Sequence, residues 1–161
     1  MNAYEESEQG FIQFCAALYQ RPGVGEACLA LQDGRGWNVN CLLLCAWAAR
    51  LGYVLTAEFW VEARKAIAIL DDEAVIPVRR IRRSISRNRK INDELKSGMR
   101  RLLWYAELRA EQAVEGTLHR TMAGLAQRGE PDVAANLLAY AGGDSPELAP
   151  LARLFSESMA G

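Results

Sequence analysis

Histidine is almost missing: His119 is the single one in 161 residues. That excludes a metal centre built from several imidazoles of one chain. Long apolar runs are missing too, since the longest, Cys41 to Ala49, covers nine residues against the roughly 20 that span a bilayer. The opening Met1-Asn-Ala-Tyr-Glu-Glu-Ser-Glu has neither the basic nor the apolar region of a secretion signal. Cysteine is scarce, with Cys15, Cys28, Cys41 and Cys45 all inside apolar runs, where a free thiol behaves as a small hydrophobe. A disulfide framework is therefore not expected, and a reducing, cytoplasmic setting is. Overall charge is absent as well: a net of −1 gives no field that drives the chain to nucleic acid or membrane.

What is present is helical periodicity. Half of the residues are apolar, enough for a core without metals or crosslinks. Phe11, Phe14, Cys15 and Leu18 recur at i, i+3, i+4, i+7, and so do Val24, Ala27, Cys28 and Leu31, the mark of one-sided helices. Pro22 suits the first turn of the second helix, and Gly34 and Gly36 stop it. Asn38 is placed to cap a third helix ending near Leu51, apolar on nearly all sides, which belongs at the centre of a core. Thr56 caps a fourth. Pro77 is awkward for any helix already under way from Asp71. From Val78 to Ala106 apolar or small residues recur every three to four positions with Asn88 and Asn92 in the middle, a heptad run that is either continuous or broken at the asparagines, and packing antiparallel within the chain is expected rather than an extended coiled coil. Shorter helices follow from about Pro131 and Pro146. No segment reads as a convincing strand. The expectation is an all-α, compact multi-helix bundle of about seven to nine helices around a central apolar helix near residues 39–51. It forms one helical domain over 1–161, with 1–8 and 157–161 frayed and the helices from 129 onward less well defined.

Several stretches together resemble one family: Phe14 with Ala17-Leu18-Tyr19, Pro22-Gly23-Val24, Cys28-Leu29-Ala30-Leu31-Gln32-Asp33, Val39-Asn40-Cys41-Leu42-Leu43-Leu44 and Pro77-Val78-Arg79-Arg80-Ile81-Arg82-Arg83. Glu107-Leu108-Arg109-Ala110-Glu111 is a weaker echo. On these residues the chain resembles an uncharacterised bacterial family of helical proteins of about this length, a domain of unknown function. The resemblance runs over about residues 11–115 and not into the tail. It implies no activity, cofactor or site residue.

Catalytic signatures are wanting. Cys41 and Cys45 stand one turn apart, but leucine, alanine and tryptophan around them supply no further metal ligands; they read as core. His119 has no accompanying nucleophile and reads as a surface or half-buried residue. Gly23-Val-Gly25 lacks the strand and third glycine of a phosphate loop. Asp33-Gly-Arg-Gly-Trp-Asn38 puts Arg35 and Trp37 where calcium needs oxygen. Glu58 with Glu62, and Glu107 with Glu111 and Glu115, have the i, i+4 spacing of di-metal carboxylates without the required Glu-x-x-His; they read as solvated carboxylates. No cofactor is called for, and the expected role is not enzymatic.

One feature is anomalous. Residues 79–101 hold ten of the nineteen Lys and Arg against Asp93 and Glu94 alone. On a helix Arg79, Arg80, Arg83, Arg87 and Lys90 gather on one face, opposite Val78, Ile81 and Ile85. Like charges at that spacing repel unless something offsets them. Glu107, Glu111 and Glu115 repeat the spacing of Arg79, Arg83 and Arg87, so two antiparallel helices can match rows. The leading expectation is a helical protein-interaction or self-association module that uses the arginine face toward a protein partner or a second copy. The alternative is a nucleic-acid-binding accessory protein, since arginine rows neutralise phosphates, although no aromatic residue interleaves the row.

Overall fold

Why helices form is set by the periodicities above, and where each starts is set by polar side chains. A computed structural model describes residues 6–130 and 132–160. Its helices are α1 (Glu8–Tyr19), α2 (Val24–Arg35), α3 (Val39–Arg50), α4 (Ala57–Leu70), α5 (Ile76–Arg87), α6 (Asp93–Leu125), α7 (Val133–Ala141) and α8 (Leu148–Ala160). The side chains of Ser7, Asn38, Thr56, Asn92 and Asp132 each accept a hydrogen bond from the first turn of the helix that follows, satisfying N–H groups that a helix start leaves free. Gly36 closes α2 at φ +69°, a backbone conformation that side-chain-bearing residues resist.

Three local expectations change. Pro22 does not enter the first turn of α2: Gly23, at φ +80°, is the residue before Val24, so the proline belongs to the turn. Pro77 does sit in a helix already under way, and a π-helical turn from Asp71 to Val75 joins α4 to α5 without a break. There the Ile76 N–H reaches back to the Asp71 carbonyl. Widening the helix just before a proline, which has no N–H to give, relieves the conflict with the preceding turn. Finally, a two-residue antiparallel ladder pairs β1 (Tyr53–Val54) with β2 (Gln127–Arg128), although no strand was foreseen. Side chains sustain it: buried Asn136 accepts from the Leu55 N–H at 2.9 Å and donates to the Tyr53 and Cys45 carbonyls.

The chain is all-α apart from that ladder, and counting α4, the π turn and α5 as one rod gives seven helical rods among the described residues. α3 is the centre: every residue from Asn40 to Ala49 is buried. Around it the core gathers Phe11, Val24, Trp60, Val114, Leu118 and, from the C-terminal helices, Leu137, Leu151 and Phe155. The fraying expected at 1–8 and 157–161 falls partly outside the described residues, as does the start expected at Pro131. Within them α8 runs to Ala160.

The heptad run is interrupted as its asparagines suggested. Asn88 ends α5 in an extended conformation and Asn92 caps α6, so the two helices fold back on each other instead of forming a continuous coiled coil. Between Ile76 and Ala106 this hairpin carries one buried apolar side chain, Ile85, at 8 % exposure. Ile85 lies outside the main core cluster, which skips from Val75 to Val114. No helix among the described residues is long and apolar enough to cross a membrane.

Candidate functional site

The antiparallel pairing of α5 with α6 can be read from its ion pairs. Arg79 donates from Nε to Glu107 Oε1 at 2.9 Å, from Nη2 to Glu111 Oε1 at 2.7 Å and from Nη1 to Gln32 Oε1 at 2.9 Å. Arg82 meets Glu107 with a forked pair of hydrogen bonds from Nε and Nη2. Glu107 is only 6 % exposed, and a buried carboxylate is tolerated where guanidinium groups bond it on both oxygens. Burial alone acts to raise its pKa, but the Arg82 and Arg79 hydrogen bonds outweigh that and hold it below the ordinary carboxylate value. For Glu111 burial wins, and its pKa stands above the ordinary value in spite of Arg79.

Each residue singled out in the sequence can now be placed. Arg79 is half-buried between α6 and α2, whereas Arg80, Arg83 and Arg87 are exposed on α5. Arg83 makes one long ion pair with Asp33, at 3.7 Å. Arg80 and Arg87 make none among the described residues. Lys90 is not on the helical row, because α5 ends at Arg87 and Lys90 lies in the turn after it. The inward arc of α5 is rotated from expectation toward Arg79 and Arg82, which leaves Ile81 49 % exposed. Of the three glutamates, Glu107 and Glu111 meet Arg79, while Glu115 pairs with no cation among the described residues.

The reading of Glu107 and Glu115 as solvated carboxylates is overturned, since they are 6 % and 8 % exposed. The cause was present in the sequence. Glu107, Glu111, Val114, Leu118 and Met122 recur at steps of four and three, so the acidic row continues the apolar stripe that α6 buries. Glu115 sits against Cys15 of α1. Burial first, and the Glu111 charge second, push its pKa up to about 8, against a lowering hydrogen bond from the Cys15 thiol. Arg82 and Glu115's contact with Cys15 were not anticipated; both follow from packing between helices distant in sequence.

Between α1, α2, the start of α3, the π turn, α5 and α6 lies a cavity of about 600 Å³. Its walls mix Ile12, Tyr19, Leu43 and Val75 with Arg79, Glu111 and Glu115, and Trp37 and Trp104 stand on its lining. Among the described residues no group of three or more His, Cys, Asp or Glu is arranged to hold a metal ion.

A family model described as "Protein of unknown function (DUF2390)" matches residues 11–118. The chain belongs to this family. The DUF2390 match takes in most of α1, all of α2 to α5 and most of α6, and with them the Arg79–Glu107 contacts and the lining of the cavity; it stops short of α7 and α8. No curated protein and no solved structure matches the chain.

Proposed function

We propose that the protein is a helical protein-interaction module in the cytoplasm, and that the α5–α6 hairpin docks onto an acidic, partly apolar surface of a partner protein. One observation carries this reading. Six of the eleven exposed large apolar side chains among the described residues, Ile76, Ile81, Leu95, Leu102, Trp104 and Tyr105, lie within residues 76–106 of this hairpin, in the same segment as ten Lys and Arg. Exposed apolar groups set among charges of one sign are the pattern of a partner surface. Charge complementarity selects an acidic partner. The cytoplasmic assignment is supported by the four free, buried thiols, as expected under reducing conditions.

The test uses Arg80, Arg83 and Arg87, which are exposed, rather than Arg79, whose reversal disturbs the fold. A photo-crosslinking amino acid at Leu102 in living cells should trap a discrete protein, and Arg80→Glu, Arg83→Glu and Arg87→Glu together should abolish the trapped species while leaving helical circular dichroism intact. A crosslink to the chain itself, matched by a dimer in light scattering, reassigns the surface to self-association. Unchanged crosslinks in the triple variant contradict the proposal.

A second reading has one observation in its favour. Trp104 and Tyr105 are exposed close in sequence to Arg100 and Arg101, a stacking-plus-charge pairing found on surfaces for single-stranded nucleic acid. Binding of a random oligonucleotide that weakens steeply with added salt, and is lost in Trp104→Ala, would establish it in place of the first.

A further inference from the structure

The cavity shares Ile76, Arg83 and Trp104 with the exposed hairpin surface and reaches from it to the buried Glu115 of α6. Its size falls within the roughly 300–1,000 Å³ of small-molecule sites, and its walls are those of such a site: apolar over most of their area, with polar groups converging from several helices. The charges decide what kind of ligand it suits. Three guanidinium groups line it, and none is free to receive an anion deep inside. Arg79 has its donors on Glu107, Glu111 and Gln32, Arg82 is held by Glu107, and Arg83 turns toward Asp33. Four carboxyl groups line it as well. Glu107 and Glu111 are met by arginine, and Asp71 accepts from the Asn38 amide at 2.8 Å. Glu115 is left: nine-tenths buried, bonded by the Cys15 thiol and repelled by Glu111, with no cation acting on it.

We propose that this cavity binds a small cationic amphiphile, a primary amine on an apolar body, with its ammonium group against Glu115 and its body along Ile12, Tyr19 and Trp104. A buried carboxyl without a counter-ion is costly to ionise, and a ligand cation supplies what the chain itself does not. Glu115 is protonated at neutral pH, its pKa being about 8. An arriving ammonium ion makes the ionised form the stable one, and the carboxyl proton passes to the buffer.

Calorimetric titration of the full chain near neutral pH with phenethylamine, against phenylethanol and phenylpropionate as the neutral and anionic counterparts, tests this. The amine should saturate one site with a Kd of about 1 mM or tighter. Its heat should vary between phosphate and Tris buffers as release of about one proton requires. The alcohol and the acid should bind at least roughly ten-fold more weakly. Glu115→Gln should weaken the amine roughly ten-fold or more and abolish the proton release. No binding of phenethylamine, equal or tighter binding of phenylpropionate, or undiminished binding by Glu115→Gln overturns the proposal. If Glu115→Gln fails to give helical circular dichroism, Trp104→Ala takes its place, since Trp104 is exposed at the cavity lining. Amine binding unchanged by Trp104→Ala then overturns it.

Discussion

Residues 40–49 and 93–106 are both helical, and they are packed in opposite ways. In the first stretch, within α3, every side chain is buried. In the second, the first fourteen residues of α6, none is. α3 is flanked by α1, α2, α6, α7 and α8, so its helicity is enforced by contacts on all sides. The start of α6 has α5 as its neighbour and holds its shape through an Asn92 cap, acidic residues at its N-terminus and good helix formers. Helix–helix packing supplies most helical stability in proteins. The core and the hairpin should therefore differ in stability as well as in burial, and the hairpin is the part of the molecule left available to something else.

The largest expected effect breaks the core side of the comparison. Leu44 is completely buried, so Leu44→Ala should cost about 2–5 kcal/mol in chemical denaturation. Next comes the boundary between the two regions, at Glu115. An acid whose folded pKa is raised to about 8 contributes stability that is fully present below its unfolded pKa and is lost as pH rises through the folded one. Wild-type stability should thus fall between about pH 4.5 and pH 8, by on the order of a few kcal/mol, and Glu115→Gln should flatten that slope. Denaturant titrations at stepped pH read it directly. Glu107 works in the other direction: with its pKa held low, its contribution disappears in acid.

A smaller effect belongs to the joint between core and hairpin. Arg79→Ala removes three hydrogen bonds and leaves the buried Glu107 with Arg82 alone. Its cost should be about 1–3 kcal/mol in thermal or urea unfolding. Smallest is the hairpin itself. Leu102 is 72 % exposed, and Leu102→Ala should change stability by no more than about 0.5 kcal/mol. A large loss there would mean that this side chain is covered in solution, by a second copy or by another part of the chain.

Much of this division could be read from the residues. The all-apolar run at Cys41–Ala49 placed the central helix, Asn38 placed its start and Thr56 that of α4, and the Asn88 and Asn92 pair marked where a break could fall, because each of these is local chemistry. The π turn was not legible, since a proline within a helical stretch signals conflict without saying how it is relieved. Nor was the rotation of α5, which turns Arg79 and Arg82 inward and Ile81 outward. That rotation is fixed by Glu107 and Gln32, which lie 28 and 47 residues from Arg79. Glu115 was misread for an instructive reason: a glutamate was assigned to solvent by its type, although its position on the apolar stripe of α6 already assigned it to the interior.

Hydrogen exchange of the isolated chain, followed by mass spectrometry, tests the central claim most directly, because it reads local opening in both regions at once. Amides of α3 should exchange only through global unfolding, and those of residues 93–106 orders of magnitude faster. Equal protection in the two stretches would contradict the account, for it would mean that the hairpin is part of the cooperative core and is not held out for a partner.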